Sequence, residues 1–249
     1  MLRARVAALA ASLAGLASWP ASAAGGDLVV SPVVVDLGKA RSALVTVRNA
    51  APDRGRYQLR VYRWDESPLG EMRLEPASDL VVFPVVLDLA PGQERKLRVG
   101  TTAAPGEKER SWRVFLEEIL PAVTQEEGNR VRTRLRIGIP VFLAPERTFA
   151  GAEIVGLGVD AGRVTFLMRN GGSVRIRTTE VLVTVADAAG ATLFQKRFDG
   201  WYVLAGSDRL YDVEIPREAC RKAAQVTAVA TADQPLQATA RIASGACAP

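Results

Sequence analysis

Along residues 130–143 (RVRTRLRIGIPVFL) apolar side chains fall on odd positions, Val131, Leu135, Ile137, Ile139 and Val141, and arginines fall on even ones, Arg130, Arg132, Arg134 and Arg136. Alternation with a period of two places successive side chains on opposite faces of a β-strand. The segment therefore predicts a long strand with one apolar and one basic face, entered from a polar loop at 124–129. Pro140 lies inside it, and a residue with no N–H to give to a ladder belongs at the edge of a sheet. Long free edges invite pairing with other chains and are normally suppressed; a chain whose task is to lend a strand would keep one.

The same short-period pattern recurs on both sides. Strands are predicted at 28–36, 42–49, 56–64, 80–87, 94–100 and 111–119, each bounded by turn residues such as Ala90-Pro91-Gly92. Strands of this length, with turn signals every 8–12 residues or so, form the pattern of a β-sandwich. Ala144-Pro145-Glu146-Arg147 reads as a linker, where proline and charge follow a completed strand. The pattern then restarts at 153–159, 162–170, 178–186, 191–198, 208–215 and 225–231, with Asp187-Ala188-Ala189-Gly190 suited to a hairpin. No stretch carries a helical period. The expectation is an all-β chain of two domains, 24–145 and 146–249.

Residues 1–23 alter where this chain is expected to work. Arg3 and Arg5 precede an apolar run that ends at Ala21-Ser22-Ala23, the arrangement of a secretory signal peptide cut after Ala23 or Ala24. No later segment is long and apolar enough to span a membrane, so none is expected after cleavage. Removing the signal takes two arginines from a formal charge of +5, which leaves too little for nucleic acid to be the expected partner. In an oxidising compartment the only two cysteines, Cys220 and Cys247, read as one disulfide. The chain has no histidine, which removes histidine-based triads and histidine metal ligands. Gly-rich phosphate loops and a CxxC motif are also missing. The adjacent carboxylates Glu117-Glu118 and Glu126-Glu127 read as solvated charge, so no catalytic residue and no cofactor is expected.

Five segments in order resemble one family. VSPVVVDL (30–37), LVTVRNAAPDRGRYQLRVYRW (44–64), VVFPVVLDLAPGQERKLRV (81–99), ERSWRVFLEEILP (109–121) and RLRIGIPVFLAP (134–145) are similar to the strands of periplasmic PapD-like chaperones of chaperone–usher fimbriae, and look most like the archaic, spore-coat-U-associated branch. The resemblance implies two immunoglobulin-like β-sandwiches arranged in an L, and donor-strand addition to an incomplete pilin. It also implies the periplasm as location, with pilus subunits and an outer-membrane usher as partners, and it leaves self-association of the free chaperone open.

Carried onto this sequence, the donor residues are Val131, Leu135, Ile137 and Ile139; the same apolar residues would otherwise complete the chain's own core. Better-known members grip the pilin's C-terminal carboxylate with an arginine on the first strand and a lysine on the donor strand, and Val33 and Pro140 stand at those positions here. The anchor candidates are then Arg113, Arg134 and Arg136, since a guanidinium holds a carboxylate through paired hydrogen bonds. Arg98 is expected to pair with a carboxylate inside the first domain, and Glu109 to reach across the domains to Arg147. The alternative reading is a two-domain surface protein, structural or adhesive; a glycan-cleaving enzyme would need two carboxylates facing one cleft.

Overall fold

The computed structural model describes residues 28–38, 40–67, 69–120 and 133–247. The expected signal peptide, Val131, Arg130, Arg132 and the Glu126-Glu127 pair lie outside these residues. The first half supplies β1 (Leu28–Ser31), β2 (Val35–Leu37), β3 (Ser42–Asn49), β4 (Gly55–Glu66), β5 (Met72–Pro76), β6 (Leu80–Phe83), β7 (Val86–Leu89), β8 (Glu94–Thr101), β9 (Arg110–Glu118) and β10 (Arg136–Leu143). One sheet runs in the order β1-β3-β8-β6; the other runs β2-β10-β9-β4-β5, with β7 also on β4.

The alternation read from the sequence is the alternation that is buried. Val45 and Val47 on β3, with Leu97 and Val99 on β8, face inward against Trp112, Val114 and Leu116 of β9. Two predicted strands, 28–36 and 80–87, each divide in two. β1 pairs β3 in one sheet while β2 pairs β10 in the other, and β6 pairs β8 while β7 pairs β4. Pro32 and Pro84 stand at the two breaks. A residue that cannot donate to a ladder is tolerated where the chain leaves one sheet for the next.

The second half supplies β11 (Ala152–Asp160), β12 (Arg163–Asn170), β13 (Ile176–Ala186), β14 (Thr192–Asp199), β15 (Tyr202–Val203), β16 (Asp208–Glu214), α1 (Arg217–Lys222), β17 (Gln225–Ala232) and β18 (Leu236–Arg241). Sheet β11-β12-β16 packs on sheet β14-β13-β17-β18, with β15 on β13. Val164, Phe166 and Met168 fill the space against Val181, Val183 and Val185. The β13–β14 hairpin turns where expected, with Asp187 Oδ1 accepting from the N–H groups of Ala189 and Ala191. Cys220 on α1 is bonded to Cys247 across 27 residues, a closure worth about 3–4 kcal/mol on the chain-entropy model.

The two sandwiches share a corner device. Asn49 ends β3 and donates from Nδ2 to the carbonyls of Asp53 and Leu89; Asn170 ends β12 and donates from Nδ2 to those of Val174 and Val203. Both asparagines are fully buried. Each satisfies backbone that would otherwise be stranded where the chain turns between sheets.

Candidate functional site

β10 is where the two faces of the first sandwich meet open space. Its inner edge pairs β9 over its whole length, from Arg136 opposite Glu117 to Leu143 opposite Arg110. Its outer edge pairs β2 only at Val141–Leu143. Among the described residues, Arg136 to Pro140 therefore have no neighbour on that side. The apolar residues of this strand point into the sandwich. Ile139 is 2% exposed and its side chain is spent on the domain's own core, so it is not free for a guest. Leu135 and Ile137 are half-buried and pack on the rim of the same core.

The opposite face of this sheet carries the charge. β9 sends Trp112, Val114 and Leu116 inward, so Arg113 and Phe115 point out. Arg113 is 8% exposed. Its guanidinium carbon lies 4.0 Å from the ring of Trp64, on β4, and 5.4 Å from the ring of Trp201, which comes from the second sandwich. Nε and Nη2 are sealed from solvent and have no hydrogen-bond partner. Burial pushes the guanidinium pKa down, with Tyr202 and Glu66 acting the other way. A cation held on aromatic faces gains cation–π attraction, yet its unmet donors still cost free energy. An incoming anion would recover that cost. In register, Arg113 sits directly opposite Pro140.

The other two candidate arginines differ. Arg136 Nε is 3.0 Å from Glu117 Oε1, and the guanidinium lies 3.9 Å from the Phe115 ring. Glu117 is shared with Arg60 and accepts from Gln58 as well. Arg134 is exposed and makes no ion pair among the described residues.

Arg113 borders the joint between the sandwiches. Trp64, Phe142 and Tyr202 form an aromatic cluster with ring centroids 5.5–5.8 Å apart, closed by Leu204. On one flank Arg175 reaches Glu109 Oε1 at 2.5 Å and Asp36 Oδ1 at 2.7 Å while lying 3.8 Å from the Phe142 ring. Glu109 thus pairs across the joint as expected, but with Arg175 and not Arg147; Arg175 enters from β13's leading loop, nearer to β2 and β9. Burial raises the Glu109 pKa, opposed first by the charge of Arg175. On the other flank the Leu204 N–H donates to Glu66 Oε2 at 2.7 Å, and Arg209 Nη1 donates to the Gly70 carbonyl at 3.0 Å. Gly70 has φ +82°, and a Cβ there would stand 2.7 Å from Arg209 Cγ, so both its conformation and this contact require glycine. Burial lifts the Glu66 carboxyl to about 7 against the Leu204 hydrogen bond and the charges of Arg209 and Arg113. Arg98, expected to be ion-paired, is exposed and has no such partner among the described residues; its register neighbours on β3 and β6 are Leu44 and Phe83. Among the described residues no group of acidic and cysteine side chains is placed to hold a metal ion, and no helix is long and apolar enough to cross a membrane.

Residues 28–148 match the family model described as pili and flagellar-assembly chaperone, PapD N-terminal domain. That segment is therefore similar to a PapD-like chaperone domain. The PapD-like character extends to the whole fold. A chain of the CsuC–CsuE chaperone–tip adhesion subunit pre-assembly complex, from archaic chaperone–usher Csu pili of Acinetobacter baumannii, superposes with a TM-score of 0.58 at 16% identity, covering 87% of this chain and 98% of that one. A chain of the SafA pilin–SafB chaperone complex of Salmonella enterica gives 0.56 at 14% identity, covering 86% and 96%. The E. coli chaperone DraB gives 0.53 at 19% identity, covering 85% and 96%. At these identities the likeness is one of fold, both sandwiches included. No curated protein matches the chain.

Within the PapD-like framework, Val33 is 69% exposed in the crossing between β1 and β2, and Pro140 is buried in β10. Sequence reasoning pointed to Arg113 but missed what surrounds it. Trp64, Glu66, Arg175 and Trp201 are brought together from distant segments, Glu66 meeting Leu204 across 138 residues, and none carries a local motif.

Proposed function

We propose that the chain is a periplasmic assembly chaperone of a chaperone–usher pathway, of the archaic type, which holds pilus subunits by donor-strand complementation and passes them to an outer-membrane usher. The observation that carries this reading is the coincidence, on one sheet, of an unpaired edge at Arg136–Pro140 and a buried, unpartnered Arg113 one strand away. A subunit strand paired along that edge would extend the ladder, with Leu135 and Ile137 moving from the rim of the chaperone core into that of the subunit. Each such side chain contributes roughly 1.5–3 kcal/mol when fully buried. Val131 would extend the row on the same face.

The subunit's C-terminal carboxylate would take the two open donors of Arg113, which faces Pro140, the position where better-known relatives carry their lysine. Arg134, exposed and unpaired, is the second contact, whereas Arg136 is occupied by Glu117. The solved relatives include chaperones bound to a tip adhesion subunit and to a pilin, which supports the same use of the fold here. The test is co-expression with a spore-coat-U-like pilin subunit. Leu135→Glu should abolish the co-purified complex while the variant keeps its circular dichroism and melting temperature. Normal capture by a folded Leu135→Glu variant overturns the donor-strand reading.

A further inference from the structure

A carboxyl and a guanidinium lie in the joint, each with sealed polar atoms that have no partner among the described residues. Arg113 has Nε and Nη2 unsatisfied, and Glu66, from the end of β4, has Oε1 sealed and unsatisfied. Among the described residues, Glu66 accepts one hydrogen bond, at Oε2 from the N–H of Leu204, in the segment that also carries Trp201 against Arg113. Trp201 does not move alone, because its carbonyl accepts from the Thr178 N–H and Gly200 donates to Thr179. It travels with the second sandwich. The opposite flank is held by Arg175 on Glu109 and Asp36. The joint therefore has one flank held by ion pairs and a second flank held by hydrogen bonds, from Leu204 to Glu66, Arg209 to Gly70 and Leu210 to Leu69, with no ion pair among the described residues.

We propose that Glu66 is a proton-controlled latch on this joint, closed over Arg113 while Glu66 carries its proton and released when the proton is lost. The idea rests on the chaperone reading for its use, since the guanidinium so exposed is the one assigned to the subunit carboxylate. An ionised carboxyl with one oxygen sealed and unpartnered is costly in the closed joint, and opening hydrates it.

The groups facing Glu66 do not remove that cost. Asp65 beside it is repulsive; Arg209 and Arg113 attract but less than burial repels, and burial raises the Tyr211 pKa. Lys108 lies against Gly206, on the same segment as Leu204. The sign follows. In the closed joint the carboxyl holds its proton up to about pH 7, against an ordinary value of 4.5. The closed form therefore binds more protons across that window, and it loses ground to the open form as pH rises through it.

The Leu204 amide reports the latch directly. Its hydrogen exchange, corrected for intrinsic pH dependence, should quicken by at least about tenfold relative to the Val183 amide between pH 5 and pH 8. In Glu66→Gln, which stays neutral, it should remain slow throughout. A wild-type ratio that is flat with pH, or a Glu66→Gln ratio that still rises, overturns the latch. Should Glu66→Gln fold poorly, the Glu66 side-chain carboxyl can be titrated by carbon NMR in the wild type, and a midpoint near 4.5 overturns it equally. Both measurements use the free protein, so they stand or fall apart from subunit capture. The link to capture is read separately: the wild-type rate of complex formation should rise over the same pH range and be flat in Glu66→Gln, and a flat wild-type rate overturns the gating of Arg113.

Discussion

Arg175 and Arg113 are two arginines of one interdomain joint, and each lies about 4 Å from an aromatic ring. The Arg175 guanidinium meets two carboxylates; that of Arg113 meets none among the described residues. A guanidinium is expensive to bury and is retained when every donor is answered. Arg175 is answered within the chain, so its role is to hold the sandwiches together. Arg113 is more deeply buried and, among the described residues, left unanswered; in the proposed role an anion from outside the chain recovers that cost. The difference in pairing, more than the difference in position, separates the arginine answered within the chain from the one proposed to take an outside anion.

That contrast is breakable. Arg113→Met keeps the volume and the contact with Trp64 but removes the charge. Subunit capture should fall by at least about 100-fold, the loss of a buried charge-assisted contact worth about 3 kcal/mol, while thermal stability holds or improves slightly. Pull-down titration against the melting curve checks this, and equal losses in both would make Arg113 another Arg175. Arg175→Ala should do the reverse. It strands Glu109, whose side chain is only 6% exposed, and should cost about 3 kcal/mol in chemical denaturation; a silent substitution would dissolve the distinction. The smallest effect is expected of Arg136→Ala. Its ion pair with Glu117 is half-exposed and shared with Arg60, so stability should fall by less than about 1 kcal/mol.

How far the sequence announces all this varies by residue. Strand β3 is legible because Val45 and Val47 alternate with Thr46 and Arg48. The strands at 28–36 and 80–87 were each expected whole, because a change of sheet is a tertiary event; locally the only trace is a proline inside an apolar run. β18 (LQATAR) and β5 (MRLEP) pair at sheet margins with little apolar side-chain area, so their pattern is faint. α1 spans six residues, too few for a helical period to register. The strand expected at 130–143 is described as β10 only from Arg136, so Arg136 is the one arginine of the expected basic face that it carries, and the sequence did not show how the apolar residues divide between Ile139, already in the core, and Leu135 and Ile137 at its rim. Arg113 stood out only through the family resemblance. Its isolation from carboxylates is a property of three dimensions.

The crossing of the chain from β1 to β2 has one more consequence. Because β2 occupies the outer edge of β10 from Val141 onward, the free portion has a fixed far end. At about 3.3 Å per residue the stretch from Arg136 to Pro140 is roughly 17 Å long. Any strand laid along it comes up against β2 as against the stop of a ruler, and cannot slide on toward the linker. Since a slip of one residue would turn every side chain to the wrong face, a hard stop at one end supplies register to a surface that otherwise offers only a repeating ladder.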